Sequence, residues 1–300
     1  MIVSILNKDA GFYSMFFFTL NHFCYAKKHQ KKFILDTSKW MYKSWEGWTD
    51  YFLSPYFEGD ETPYEKCTVH RHNHLNGDYN MWEYREAALK YLYRYNYATK
   101  HRIEETKKQL GIVHGEYDAI YIRHGDKLCS ESVVIPTERY VDWLLLKNPN
   151  CKKIFVQTDD YNVYLTVKNY LIEIGRLEID TFTLCEEHTK GFVTHDKYFK
   201  ELEDALEKNK NNKNYLSQIY DDIKRSKPVE RMNPEEIYEH TMNLIISVDI
   251  SMHSKYCILD NQSNVARFIS IVHDNNRNLF DVRYPQENIN MDWTMCPAYW

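Results

Sequence analysis

The chain has 300 residues, enough for one large domain or two of ordinary size. Hydrophobic residues at 43% and charged residues at 27% exclude wholesale disorder, and a formal net charge of −5 excludes general nucleic-acid binding, which needs a basic field. Seven cysteines, at 24, 67, 129, 151, 185, 257 and 296, form no Cys-x-x-Cys pair, a pattern that suits a reducing compartment better than a disulfide framework or a zinc site.

Taken in order, Ile2 to Leu6 predicts a buried strand, Asn7 to Ser14 a turn containing Gly11, and residues 13–30 a helix. Lys32 to Asp36 predicts a second strand, which makes the opening of a Rossmann-like half. Met15 to Leu20 is the richest apolar run and is far too short to span a bilayer; no basic leader precedes it, so the expectation is a cytoplasmic protein with no membrane span. Residues 37–66 carry Trp40, Tyr42, Trp45, Trp48, Tyr51, Phe52, Tyr56, Phe57 and Tyr64. Such a cluster serves either as a sugar-stacking platform or as a satellite core, and the structural reading is the favoured one. His70, His72 and His74 alternate, so a strand would put three imidazoles on one face; with no acidic or cysteine ligand nearby, a polar strand is favoured over a metal site. Residues 83–110 have the spacing of one long helix, ending at Gly111. Gly111 to Tyr117 is the predicted linker, which divides the chain into domains 1–113 and 114–300.

The second half alternates strand and helix. Strands are expected at 118–123, 153–157, 180–184, 256–259 and 278–282, with helices at 136–147, 160–175, 235–248 and from Ser263, which is placed as an N-cap. Residues 186–233 read as a polar excursion of helices and loops, and the aromatic terminal segment 293–300 is expected to pack back across the domains.

One stretch carries the chemistry. The apolar run 119–122 is followed within nine positions by Arg123, His124, Asp126, Lys127 and Glu131. A buried strand ending in charges delivers them to the carboxyl edge of a sheet, where α/β proteins bind ligands. An arginine there can fork onto a phosphate, a lysine can add a point charge, and a carboxylate can take a proton from an attacking hydroxyl. By charge content alone, a solvated loop with local ion pairs fits better.

The peptide Arg123-His-Gly-Asp-Lys-Leu-Cys-Ser-Glu131 resembles the Arg-Arg-x-Asp-Lys-x-x-x-Glu peptide of the α1,6-fucosyltransferases. The resemblance implies an α/β, GT-B-like fold of two Rossmann-like domains facing across a cleft. It also implies inverting transfer of fucose from GDP-fucose to a glycan hydroxyl. On it, Arg123 holds the donor diphosphate, Lys127 and Glu131 are the catalytic lysine and general base, and His124 replaces the second arginine of the donor pair. The Gly-x-Gly-x-Gln turn of the family is matched at Gly11 alone, with Tyr13 and Met15 at its other fixed positions; Gly11 and Ser14 are the implied donor contacts of this half. Residues 260–267 resemble a Thr-Phe-Ser-Ser-Gln-Val-x-Arg peptide that lies on the nucleotide: Ser263, Val265 and Arg267 match, and Asn264 stands for glutamine. Asp249 is the nearest candidate for an acidic contact to guanine, and Thr158-Asp159-Asp160 matches a scaffold peptide near the donor.

No Asp-x-Asp motif occurs, which favours neutralising the leaving group by side chains and a helix N-terminus rather than by a metal, with no cofactor beyond the donor sugar nucleotide. Two other readings fit the same residues: a transferase of this fold using another nucleotide sugar, and a non-catalytic glycan-binding relative. The sequence leaves acceptor, linkage and oligomeric state open.

Overall fold

Short β-prone runs and apolar-faced helices alternate along the chain, and each run pairs with strands that lie parallel to it. The computed structural model describes residues 1–7, 10–62, 64–68, 79–123, 135–187, 229 and 232–284. The first half contains β1 (Ile2–Ile5), α1 (Phe12–Lys28), β2 (Phe33–Asp36) and β3 (Glu65–Thr68), paired as a parallel sheet of order β2-β1-β3. Ile2 sits opposite both Phe33 and Glu65, so β1 is central and α1 is the crossover that returns the chain to β2. Helix α1 buries Phe12, Met15, Phe16, Leu20 and Phe23, residues that fall on more than one face, because it is covered on several sides.

The long helix expected over 83–110 is two helices. α2 (Met81–Ala87) continues through a π-helical turn, Ala88–Leu92, and α3 (Tyr97–Gln109) starts anew. The break is tertiary in origin. Leu53 N donates to Arg94 O (2.7 Å), Asn96 N donates to Tyr51 O (3.1 Å), and Asn96 Nδ2 donates to Thr49 O (2.8 Å). Asn96 also caps α3 by accepting from Thr99 N at 2.8 Å, so the break loses few backbone partners.

The second half contains β4 (Asp118–Ile122), α4 (Thr137–Lys147), β5 (Lys153–Thr158), α5 (Tyr161–Glu173) and β6 (Asp180–Phe182). It continues with α6 (Pro234–Met252), β7 (Cys257–Leu259), α7 (Asn264–Val272) and β8 (Leu279–Asp281). All pairings are parallel, in the order β6-β5-β4-β7-β8. The period of two decides which side chain meets which layer. Ile120, Ile122, Ile154, Val156, Ile258 and Phe280 pack with Tyr140, Val141 and Leu144 of α4 and Val163 and Val167 of α5. Ala119, Tyr121, Phe155, Cys257 and Leu259 belong to the opposite core, with α6 and α7. Pro136 is the N-cap of α4 rather than its first helical residue. The architecture is therefore α/β with two Rossmann-like parallel sheets.

That second core is continuous with the first half. Phe268 of α7 is fully buried, with its ring 4.8 Å from Tyr13, 4.8 Å from Phe16 and 4.6 Å from Tyr93. The aromatic stretch after β2 joins the same body: Trp40, Tyr42, Trp48, Tyr51 and Phe52 are buried core, whereas Trp45 is 50%, Tyr56 53% and Tyr64 52% exposed. The core reading holds for those five rings. Among the described residues no helix is long and apolar enough to cross a membrane. His70, His72, His74, the terminal segment 293–300 and nearly all of 186–233 lie outside the described residues.

Candidate functional site at the carboxyl edge

In the five-stranded sheet the chain leaves β4 toward α4 on one face and leaves β7 toward α7 on the other. Adjacent parallel strands whose connections depart to opposite faces open a crevice at their carboxyl ends, the place where such sheets hold ligands. Arg123 directly follows β4, and the turn Asp260–Ser263 directly follows β7, so both line this switch point.

One hydrogen-bond chain ties the two strand ends together. Ser263 is buried and accepts from Ala266 N at 3.1 Å as the N-cap of α7. Its hydroxyl also donates to Tyr121 Oη, 2.9 Å away and one residue before the end of β4. Burial pushes the Tyr121 phenol up to about 12 although the neighbouring Arg123 charge pulls it down. Arg123 Nε lies 3.8 Å from Asp159 Oδ2, a long ion pair to the end of β5, while Asp160 caps α5 by accepting from Asn162 N at 2.9 Å.

The turn itself is braced from inside. Arg267 Nε donates to Asn261 O at 3.0 Å, and its Nη1 reaches Asn264 Oδ1 at 3.5 Å. Burial pulls the Arg267 guanidinium below its ordinary range, with Asp260 opposing that pull. Arg283, just beyond β8, meets both oxygens of Asp260: Nε is 3.0 Å from Oδ1 and Nη2 donates to Oδ2 at 3.1 Å. Burial raises the Asp281 carboxyl beside it, against a hydrogen bond from Arg283 N. Sequence reasoning missed both the Tyr121–Ser263 bond and the Arg283–Asp260 fork. The available signal for the first was a tyrosine inside a buried strand, whose hydroxyl needs a partner. The second joins residues 23 apart and leaves no local pattern.

The remaining sequence-predicted residues fall in three places. Gly11 is the N-cap of α1 with extended backbone (φ −63°), and an added Cβ would meet only Tyr42 Oη, at 4.0 Å. This turn does not require glycine. Phe12 N donates to the same Tyr42 hydroxyl at 3.1 Å, Ser14 is half-buried in the first turn, and Tyr13 and Met15 face the core. The two positions where the resembled family has glycine and glutamine thus hold packing side chains.

Asp249 lies elsewhere. It sits one turn before the end of α6, and that end leads into the amino edge of β7, opposite the crevice. Its side chain is 4% exposed, with Lys107 Nζ 2.6 Å from Oδ1 and His253 Nε2 3.5 Å from Oδ2. Burial raises the Asp249 carboxyl, but His253 and Lys107 outweigh it and hold it below its ordinary range. The expected acidic contact to a base does not fit this position. Finally, His124, Lys127 and Glu131 lie outside the described residues.

No family model and no curated protein matches the chain. Several solved structures are similar to it. Fucosyltransferase NodZ from Bradyrhizobium, in its selenomethionine form, is 12% identical over 95% of this chain and 96% of that chain, with a TM-score of 0.48. A second structure of fucosyltransferase NodZ from Bradyrhizobium is 11% identical over 90% and 92%, with a TM-score of 0.47. NodZ α1,6-fucosyltransferase soaked with GDP-fucose is 11% identical over 90% and 92%, with a TM-score of 0.46.

Proposed function

We propose that the chain is a glycosyltransferase that binds a nucleotide-sugar donor at the β4–β7 switch point and passes its sugar, with inversion, to a glycan hydroxyl. The donor it fits first is GDP-fucose. One observation carries the reading: Arg123 and the Ser263-capped start of α7 converge on the same crevice, joined through Tyr121. A guanidinium supplies two parallel donors to a diphosphate, and a helix N-terminus supplies a favourable dipole, so the pair offsets the charge of a nucleoside diphosphate leaving group.

The chemical step is assigned through the peptide that begins at Arg123. Glu131 removes the proton from the acceptor hydroxyl as that oxygen attacks the anomeric carbon. Lys127 orients the acceptor or offsets developing charge. The bond to the diphosphate breaks on the opposite face, and Arg123 with α7 receives the negative charge. No step in this scheme needs a metal ion.

Titration of GDP, UDP and CMP compounds in EDTA, paired with a transfer assay, tests the reading. GDP should bind without divalent ions. Glu131→Gln should bind GDP within about threefold of the unsubstituted chain and lose roughly 10²–10⁴-fold in transfer, the contribution typical of a general base. A Glu131→Gln variant that transfers at full rate removes the base assignment. GDP binding that vanishes in EDTA removes the metal-free scheme, and preference for UDP points to the other donor class.

A further inference from the structure

At the amino edge of the five-stranded sheet, three connections meet. His114 lies between α3 and β4, His253 is the C-cap of α6 before β7, and Asp274 lies between α7 and β8. His253 Nδ1 is 2.6 Å and His114 Nε2 3.0 Å from the same oxygen, Asp274 Oδ2. The two imidazole rings have centroids 4.6 Å apart, and one ligand atom from each of the three residues lies within 4.8 Å of the other two. This is the group with metal-ligand spacing among the described residues. We propose that His114, His253 and Asp274 form a divalent transition-metal site of the zinc class, with a fourth position open to water.

Three features favour a built site over a chance surface cluster. The donor set is right: two imidazoles and one carboxylate, which zinc accepts at about 2.0–2.2 Å in tetrahedral geometry. Tetrahedral bonds of that length separate ligand atoms by about 3.3 Å, so the contacts of 2.6 and 3.0 Å to Asp274 open by about 0.7 and 0.3 Å, and the two imidazole nitrogens, within 4.8 Å of each other, close by up to about 1.5 Å.

The second ring nitrogen of His253 is also engaged. Asp249 Oδ2 lies 3.5 Å from His253 Nε2, and Lys107 Nζ holds the other oxygen of Asp249 at 2.6 Å. A ligating histidine characteristically gives its remaining N–H to a carboxylate, which fixes the ring and strengthens the ligand. Asp249 would be that outer carboxylate, which gives its burial a purpose its sequence neighbourhood does not reveal.

The backbone, too, is tied before any ion arrives. Gly115 N donates to His253 O at 3.0 Å, Asp274 N donates to Met252 O at 3.0 Å, and Lys255 N donates to Tyr117 O at 2.7 Å. All three ligand-bearing segments are therefore pinned to one another.

Five residues of β4 separate this edge from Arg123. At about 3.3 Å per residue that is roughly 15 Å, so the ion would clamp the three connections and take no part in sugar transfer. The site is independent of the donor reading.

The test uses the full chain, stripped with EDTA and dialysed, with Zn²⁺ and Co²⁺ as probes. One equivalent of Zn²⁺ should bind in calorimetry and raise the unfolding midpoint. Co²⁺ should give visible bands of a nitrogen- and oxygen-ligated tetrahedral ion without the near-ultraviolet band of a thiolate ligand. His114 is 63% exposed at its side chain, so His114→Ala should fold normally and yet lose at least about 100-fold in affinity. Asp249→Asn should weaken binding by about 10- to 100-fold, the range for an outer-shell carboxylate. A chain with His70, His72 and His74 all replaced by Asn should keep the ion. The proposal fails if the unsubstituted chain binds no Zn²⁺ tighter than millimolar, if His114→Ala binds it unchanged, or if the triple replacement abolishes binding.

Discussion

Ser263 does two things at once, and separating them is a stringent check on the switch-point network. Replacing it with Ala removes the N-cap of α7, which costs about 1 kcal/mol within a range of 0.5–2. It also takes the serine partner, at 2.9 Å, from the buried Tyr121 hydroxyl and leaves it Arg123 alone, and a buried polar group that loses a hydrogen-bond partner costs about 1–3 kcal/mol. The single change should therefore cost about 2–4 kcal/mol. Tyr121→Phe removes one hydrogen bond and leaves the cap in place, at about 0.5–1.5 kcal/mol. In the double variant no hydroxyl remains to strand, so Ser263→Ala then costs only its cap, about 1 kcal/mol. The expected coupling is about 1–3 kcal/mol, read from urea midpoints at constant slope. Additivity within about 0.5 kcal/mol would refute the bond as an energetic link between β4 and α7. GDP titration adds a second reading. Tyr121→Phe should leave affinity within a few-fold, whereas Ser263→Ala, by loosening the helix start, should weaken it roughly 2- to 30-fold, the worth of about 0.5–2 kcal/mol of helix-terminus interaction.

Arg123→Ala should weaken GDP binding at least about tenfold with little loss of stability, because a two-bond charge-assisted contact disappears; Arg283→Ala should do the reverse, since it breaks the fork to Asp260 that closes the β7–β8 edge, and calorimetry with a urea series distinguishes the two. Asp249→Asn should cost about 3–5 kcal/mol by leaving Lys107 without its buried counter-charge and His253 with Asp274 alone, and an unchanged urea midpoint would mean that the ion pairs there add nothing. Gly47 has φ +102°, and a Cβ on it would stand 2.2 Å from Thr37 Oγ1. Gly47→Ala should therefore cost at least about 2 kcal/mol through strain and overpacking, and a cost below half of that would show that the 37–52 segment can repack.

Most of the element order was legible because burial and period coincide. Strands β1, β2, β4, β5 and β7 are short apolar runs, and each stands within two residues of its expected place. Ser263 announced itself as a cap before an apolar helix, and its side chain accepts the expected amide. What failed has a common cause. The helix over 83–110 satisfies helical spacing throughout, but Asn96 finds carbonyls in the 49–53 segment that no local pattern displays. Asp249 is near the expected register, but it stands at the end of α6 that leads into the amino edge of β7, and the strand order needed to see this has no local signature. His114, His253 and Asp274 stand 139 and 21 residues apart, so only the sheet brings them together.

Electrostatics at the carboxyl edge limit where an anion is bound. Arg283 is matched by Asp260, Arg123 has Asp159 within 3.8 Å, and Asp281 is buried beside them. Among the described residues, cations and carboxylates there nearly cancel. A nucleoside diphosphate is therefore not drawn by a general basic field. On the proposed function, a nucleoside diphosphate exchanges with Asp159 at Arg123 and takes the start of α7, two contacts fixed relative to each other by the Tyr121–Ser263 bond. On that reading, specific geometry takes the place of net charge in holding an anionic donor.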